Sequence, residues 1–250
     1  MTFDIHAALP AALADRSGAW AFIRAFAADR GASIEAGDGY DAADLDASAA
    51  RLGITLPAAL RELYELVGRR GDLTSNHDVL LPPDKLYVED GVLVFREENQ
   101  GVAWWGVRPG GDDPAVIFMY SMADPTAEEW AAWLPRLSHA AIEMVLSETV
   151  LFDDELVDVI DFVPEEIAEL PENLPELAFP GYPESEDPGN RVRWFAGPDL
   201  IARFDGGVLM VRARTEEDLE TFYDAISGDE AEMNEADGTD GTGKADETDG

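Results

Sequence analysis

Adjacent carboxylates are the first feature of this 250-residue sequence that could support catalysis. Glu97 and Glu98 follow a β-prone run, and a carboxylate pair can act as acid and nucleophile in glycoside hydrolysis. Successive side chains of a strand point to opposite faces of a sheet, so only one of the two could face a given cleft. The pair therefore favours a solvated turn, and an acid hydrolase is the third functional hypothesis.

The three histidines do not predict a metal site. His6, His77 and His139 are far apart in the chain and lack the i, i+4 spacing with which a helix presents two ligands. His77-Asp78 could be part of a catalytic dyad, but its position in a polar loop indicates an exposed pair. We therefore predict no metal centre and no cofactor.

The remaining polar motifs are also incomplete. Ser121 and Ser138 lack the Gly-x-Ser-x-Gly context of a nucleophile elbow. The acidic pairs at 112–113 and 153–154 lack the alternating oxygen ligands and the glycine of an EF-hand loop. Because the chain has no cysteine, it can form neither a disulfide nor a thiolate metal site. These patterns predict a protein that is not an enzyme.

The net charge restricts the class of partner. There are 53 acidic and 17 basic residues, a net charge of −36, which repels nucleic acid and attracts a basic protein. Solubility or a salty environment is the alternative explanation of this acidity. The sequence shows no signal peptide and no run approaching about 18 apolar residues, so we predict a cytoplasmic protein without a membrane partner.

Two adjacent tryptophans form one candidate protein-binding surface. Trp104 and Trp105 belong to one predicted strand, so they should face opposite sides of the sheet. If helices cover a single face, one tryptophan is exposed as a binding anchor, with Asn99 and Gln100 in the adjoining turn. The alternative is that both indole rings are packed between layers.

An acidic segment, 153–176, forms the other candidate surface. Between residues 137 and 190 the sequence has fifteen acidic residues and no lysine or arginine. The segment could mimic an anionic substrate and attract a basic toxin domain, and its alternative is a solvated helix face. The residues we assign to this surface are Asp153, Asp154, Glu155 and Asp158.

The order of the predicted elements indicates an α+β fold. Asp90-Gly91 between apolar runs is a strong hairpin signal, which predicts a four-stranded meander over about 86–120. Further strands are predicted at about 191–213. Apolar spacing and end signals predict helices over 11–30, 41–52, 57–67, 137–152 and 215–228, and a helix start at 125–130. We expect a central antiparallel or mixed sheet packed by these helices.

The sequence divides into three parts. Residues 1–36 are predicted to form an N-terminal helical extension, and residues 37–228 a single α+β domain. Residues 229–250 are acidic and rich in Gly and Thr, and they have almost nothing to bury, so they are predicted to be a disordered tail.

Several segments together resemble the SUKH superfamily, the Smi/Knr-type domain, in its actinobacterial form. The segments that carry the resemblance are Leu52-Gly-Ile-Thr-Leu-Pro57, Leu60-Arg-Glu-Leu-Tyr64, Phe95-Arg-Glu-Glu-Asn-Gln-Gly-Val102, Trp105-Gly-Val107 and Arg193-Trp-Phe-Ala-Gly-Pro-Asp199. The resemblance implies an α+β domain and, for many bacterial members, an immunity protein that neutralises a cognate toxin. A regulatory or scaffold protein of cell-wall or intracellular assembly is the alternative, since a fold does not establish a function.

Overall fold

The computed structural model describes residues 3–120, 129–152, 154–161, 167, 170–183 and 191–236, with side chains as far as 226 in the last segment. Within these residues the helices are α1 (Ile5–Ala14), α2 (Arg16–Asp29), α3 (Ala42–Leu52), α4 (Ala58–Val67), α5 (Gly71–Thr74), α6 (Leu137–Val150) and α7 (Glu216–Ala236). The strands are β1 (Val79–Leu80), β2 (Tyr87–Glu89), β3 (Val92–Glu97), β4 (Ala103–Val107), β5 (Val116–Tyr120), β6 (Ala131–Leu134), β7 (Val157–Asp161), β8 (Tyr182–Pro183), β9 (Arg191–Ala196), β10 (Leu200–Phe204) and β11 (Val208–Ala213). The α+β class is confirmed.

The N-terminal segment contains two helices where the sequence predicts one. Asp15 is extended (φ −154°, ψ 170°), and its carboxylate caps α2 by accepting from the backbone N–H of Gly18 at 2.9 Å. Gly18 also permits α1 and α2 to approach closely, because a Cβ there would lie 2.1 Å from the carbonyl oxygen of Ala11. Phe22 and Ile23 are buried in the main core, so this segment packs as part of the domain's interior.

The next two helices follow their sequence signals. Gly53 ends α3 in the left-handed conformation (φ 67°), as C-terminal glycines commonly do. Pro57 is the N-cap residue of α4, one position before the first helical turn in which it was predicted. Helix α4 buries an apolar stripe that consists of Leu60, Leu63, Tyr64 and Val67.

The predicted meander is confirmed and forms most of the first sheet. Its strand order is β1-β3-β4-β5-β6, with β2 also paired to β3, and every pairing is antiparallel. Asp90 and Gly91 both have positive φ, as the β2–β3 hairpin requires. The predicted helix start at 125–130 lies mostly outside the described part of the chain, which omits residues 121–128, and the chain that follows it, Ala131–Leu134, is a strand.

The later strands form a second antiparallel sheet of their own, in the order β7-β11-β10-β9-β8. One face packs with α7 in a second core that includes Phe204, Leu209 and Phe222. The opposite face contributes Trp194 and Ile201 to the main core. The acidic segment therefore provides an edge strand of this sheet, β7, rather than a helix face.

Helix α6 occupies the interior between the other helices and the second sheet. Nearly all its side chains are buried, including Leu137, Ile142, Met144 and Val145. A helix buried on all sides lacks a solvent-facing polar stripe, so its polar side chains, Ser138, His139, Glu143, Ser147 and Glu148, are buried with the apolar ones. At the other end of the fold, α7 continues to Ala236 and does not end at Gly228 as predicted, and residues 237–250 lie outside the described part of the chain.

Candidate functional site

A buried charge cluster joins the first sheet to α6. Arg96 of β3 donates from Nη1 to Glu143 Oε2 at 3.1 Å and from Nη2 to Glu148 Oε1 at 2.8 Å. The same Nη2 lies 3.1 Å from Asp78 Oδ2. Burial alone would lower the pKa of Arg96, but the three carboxylates outweigh it and raise that pKa above its ordinary value. The guanidinium therefore stays charged in the interior.

Glu143 extends this cluster to the second sheet. Its Oε1 accepts from Ser147 Oγ at 2.5 Å, one helical turn away on α6, and from the Tyr182 hydroxyl at 2.8 Å. Trp194 Nε1 in turn donates to the Tyr182 hydroxyl at 3.1 Å. One hydrogen-bonded network thus connects both sheets through α6, which indicates that Glu143 has a structural role.

A pocket of about 330 Å³ opens beside this network. Its apolar wall includes Trp105 and Trp133, whose ring centroids are 5.8 Å apart, and the guanidinium of Arg96 stacks 4.8 Å from the Trp105 ring. We call this cavity the tryptophan pocket, and its lining also includes Asp78, Glu98, Gln100, Glu143 and Arg203. Aromatic rings and carboxylates together suit a positively charged group.

Asp78 is buried, so the prediction of an exposed His77-Asp78 pair was wrong for this residue. The backbone N–H groups of His77 and Asp78 donate to Glu148 at 2.7 and 3.3 Å, which holds the loop against α6. Burial, opposed by Arg96, raises the pKa of Asp78. Its Oδ1 has no hydrogen-bond partner among the described residues.

The alternation predicted for the tryptophan pair is reflected in their neighbours. Trp105 lies opposite Arg96 and Phe118 and lines the tryptophan pocket. Trp104 lies opposite Glu97 and Met119 on the other face of the sheet. Both indole rings are half-buried, so each is packed on one side without being enclosed.

The remaining predicted residues lie in or next to the turn after β3, and they make separate contacts. Asn99 and Gln100 are exposed, Gln100 lines the tryptophan pocket, and Asn99 Nδ2 lies 3.3 Å from both ring nitrogens of His77. Glu97 accepts from the Tyr87 hydroxyl at 3.0 Å, and Glu98 accepts from the backbone of the turn. Each carboxylate has its own local hydrogen bonds.

The predicted acidic residues that the structure describes lie in and next to β7. Asp153 is outside the described part of the chain. Asp154 accepts from Arg212 at 2.6 Å, and Glu155 is exposed. Asp158 accepts from the Tyr223 hydroxyl, and burial together with this contact raises the pKa of Tyr223 to about 12. Two of these acids therefore fix β7 to its neighbours.

The β7 edge (Val157–Asp161) is the most exposed apolar feature in this region. Val159 is 56% exposed, the largest fraction among the exposed large hydrophobic side chains described, and Glu155, Asp158 and Asp161 are exposed around it. Among the described residues β7 pairs with β11 alone, so it is an edge strand. Edge strands offer unpaired backbone groups to a partner.

Sequence reasoning missed a second cavity, which contains three arginines. It has a volume of about 310 Å³ and is lined by Arg30, Arg212 and Arg214. Arg214 is paired with Asp29, and burial followed by the charges of Arg214 and Arg212 lowers the pKa of Arg30 to about 10. These arginines come from opposite ends of the chain, so no local pattern could have revealed them.

The serines considered for catalysis and the acidic pairs considered for calcium binding have structural contacts where they are described. Asp113 accepts from the backbone N–H of Ser138 at 2.9 Å and from its hydroxyl at 2.7 Å, at the start of α6. Ser121 lies outside the described part of the chain. The Ser138 hydroxyl therefore helps to fix the start of α6.

None of the described helices is long and apolar enough to span a membrane. The chain matches no protein-family model, no curated protein and no solved structure. The resemblance to the SUKH superfamily therefore stays a prediction.

Proposed function

We propose that this is a non-enzymatic binding protein whose β7 edge receives a basic protein partner. Its proposed role is that of a cytoplasmic immunity protein which neutralises a toxin. The single observation that carries the proposal is an apolar side chain, Val159, exposed on an edge strand that also carries the exposed carboxylates of Asp158 and Asp161. Interfaces commonly combine an apolar centre with a polar rim.

Charge supports the proposed class of partner. A net charge of −36 attracts a basic protein over long range and speeds its association, and the exposed acids around β7 are Glu155, Asp158 and Asp161. The proposed partner therefore presents lysine or arginine around an apolar contact. Association should slow as salt concentration rises, because salt screens charges that are exposed.

The positions of the carboxylates favour a binding role over hydrolysis. The carboxylates Glu143 and Glu148 are both hydrogen-bonded to Arg96, so they serve the interior of the fold. An acid hydrolase would need two carboxylates facing a common cleft. Of the predicted pair, Glu98 lines the tryptophan pocket and Glu97 does not, so the two do not share a cleft, which favours binding over hydrolysis by this pair.

The test is protection from toxicity by co-expression. The chain is expressed with the toxic C-terminal domain of a secreted protein encoded beside its gene, and growth is compared for wild type, Val159→Arg and Val88→Arg. Val88 is the matched control, since it is 40% exposed and also lies on a strand, β2. We expect Val159→Arg alone to lose protection, with both variants unfolding at the wild-type temperature.

Two results would contradict the proposal. Full protection by Val159→Arg would exclude the β7 edge as the interface. Absence of any toxic neighbour, combined with constitutive binding of a host assembly protein, would favour the regulatory or scaffold alternative.

A further inference from the structure

We propose that His77, Asp78 and Glu98 bind a divalent transition-metal cation at the mouth of the tryptophan pocket. One potential ligand atom from each residue lies within 4.8 Å of the others. All three residues line the same cavity. This site does not depend on the β7 edge or on the proposed toxin.

Strand pairing explains why these residues meet. In the antiparallel pair of β1 and β3, Val79 lies opposite Glu97. Continuing that register outward places Asp78 beside Glu98 and His77 beside Asn99, where the two strands diverge into loops. The ligands therefore come from two segments whose relative position is set by the edge of the first sheet.

Asp78 supplies the observation that points to a ligand. Its side chain is 9% exposed, and its Oδ2 is held by Arg96 at 3.1 Å. Its Oδ1 is buried without a hydrogen-bond partner among the described residues, although Asp78 lines the cavity. A buried carboxylate oxygen without a partner is costly, and a bound cation would remove that cost.

The charge balance of the cavity favours the same ligand. Arg96 contacts three carboxylates, those of Asp78, Glu143 and Glu148. Arg203 also lines the cavity, but its Nη1 lies 3.9 Å from a further carboxylate, that of Asp205. Negative charge therefore exceeds positive charge in this set, and a divalent cation would offset the excess.

Glu98 is already oriented for coordination. Its Oε2 accepts from the backbone N–H groups of Gln100 and Val102 at 2.7 and 3.2 Å, which fixes the carboxylate and leaves Oε1 for a metal. Asn99 stands 3.3 Å from the His77 ring, and its amide oxygen could serve as a fourth ligand after a turn of the side chain.

The donor set selects the class of metal. One imidazole and two carboxylates suit Zn²⁺ or Mn²⁺ better than Mg²⁺, which prefers oxygen ligands and its own water shell. Tetrahedral Zn²⁺ with bonds of about 2.1 Å requires donor atoms about 3.4 Å apart, so the three donor atoms, which lie within 4.8 Å of one another, draw closer when the ion binds.

The experiment measures metal binding by the full chain with the metals alone. Zn²⁺ and Mn²⁺ are titrated calorimetrically in excess Mg²⁺, which occupies the general acidic surface. The spectrum of bound Co²⁺ reports nitrogen coordination. The variants are His77→Ala and Glu98→Gln, and Glu89→Gln is the matched control because it removes the same charge from an exposed residue. Thermal unfolding without metal verifies that each variant is folded.

We expect the wild type to bind a single Zn²⁺ or Mn²⁺ per chain despite the Mg²⁺. His77→Ala and Glu98→Gln should each weaken this affinity by about tenfold or more, while Glu89→Gln leaves it unchanged. The Co²⁺ spectrum should change in His77→Ala. The proposal is overturned if the wild type shows no binding above Mg²⁺, or if all three variants bind as the wild type does. An equal loss in Glu89→Gln would also overturn it, because the binding would then reflect the protein's overall acidity.

Discussion

Arg96 Nη2 donates to Glu148 Oε1 at 2.8 Å, with the arginine side chain 3% exposed and the glutamate fully buried. This bond joins β3 of the first sheet to α6, and Glu148 also receives the backbone N–H of His77. A single ion pair thus holds a strand, a helix and a loop. Buried pairs of this kind fix geometry more dependably than they add net stability, because desolvation opposes their attraction.

Removing the buried guanidinium of Arg96 should strongly destabilise the protein. Arg96→Met leaves three buried carboxylates without their common partner, and we expect a loss of about 3–5 kcal/mol in the free energy of unfolding. Arg193→Met is the control, because Arg193 pairs with Glu176 on the surface, and its loss should stay within about 1 kcal/mol. Urea unfolding measures both. Similar losses in the two variants would show that the buried cluster is not a special source of stability.

His139 should make stability depend on pH. Burial lowers its pKa below the usual 6.5, with Arg136 acting in the same direction, while Asp113 and the Leu13 carbonyl oppose the change. The folded state therefore binds the proton less readily than the unfolded state. The stability contributed by neutral His139 is fully present above pH 6.5, the usual pKa of histidine. It is lost as the pH falls from there through the folded-state pKa of His139.

His139→Gln isolates this effect, since the amide can still donate to the Leu13 carbonyl without titrating. The free energy of unfolding is measured by urea denaturation at about pH 8 and about pH 5 for both proteins. Relative to the variant, the wild type should lose stability at the lower pH. Identical pH dependence in the two proteins would contradict the assignment.

Gly18 should be intolerant of a side chain. A Cβ at this position would lie 2.1 Å from the Ala11 carbonyl oxygen, so Gly18→Ala must separate α1 from α2. We expect a loss of about 1–3 kcal/mol, as for other overpacked sites. Gly71→Ala is the control, because no atom lies within 4 Å of its added Cβ. Thermal unfolding compares the two variants. If Gly18→Ala unfolds at the wild-type temperature, the helices separate without cost.

The two tryptophans should differ in their effect on stability. Trp105 lies beneath the Arg96 guanidinium and packs edge-to-face with Trp133, so Trp105→Ala should cost about 3–5 kcal/mol in the free energy of unfolding. Trp104 lies on the other face of the sheet, and Trp104→Ala should cost less. Guanidinium unfolding of both variants gives the comparison. A larger loss of stability in Trp104→Ala than in Trp105→Ala would refute the greater structural role assigned to Trp105.

Several features were predictable because local chemistry decides them. Asp90-Gly91 tolerates positive φ in both residues, so the β2–β3 hairpin follows from two adjacent positions. The stripe of α4 and the end of α3 at Gly53 likewise depend on residues within a few turns. The opposite facing of Trp104 and Trp105 needs only the period of a strand.

Other features depended on distant residues. Ala131–Leu134 has a helix-compatible composition but is a strand, paired with β5. Asp78 was predicted to lie exposed in a polar loop, yet contacts with Arg96 and Glu148 make it part of the interior. The acidic segment likewise became an edge strand by pairing with β11. In each case a contact across the chain overrode local preference.

The α+β class, the meander and the overall acidity follow from residue periodicity, turn chemistry and formal charge, so each could be predicted before the fold was known. The tertiary structure alone placed Arg96 among three carboxylates, brought His77 to Glu98 and left Val159 exposed at an edge. Burial and pairing are properties of segments far apart in the chain. Burial and pairing depend on which surfaces exclude water when they pack together. A local sequence pattern does not include that information.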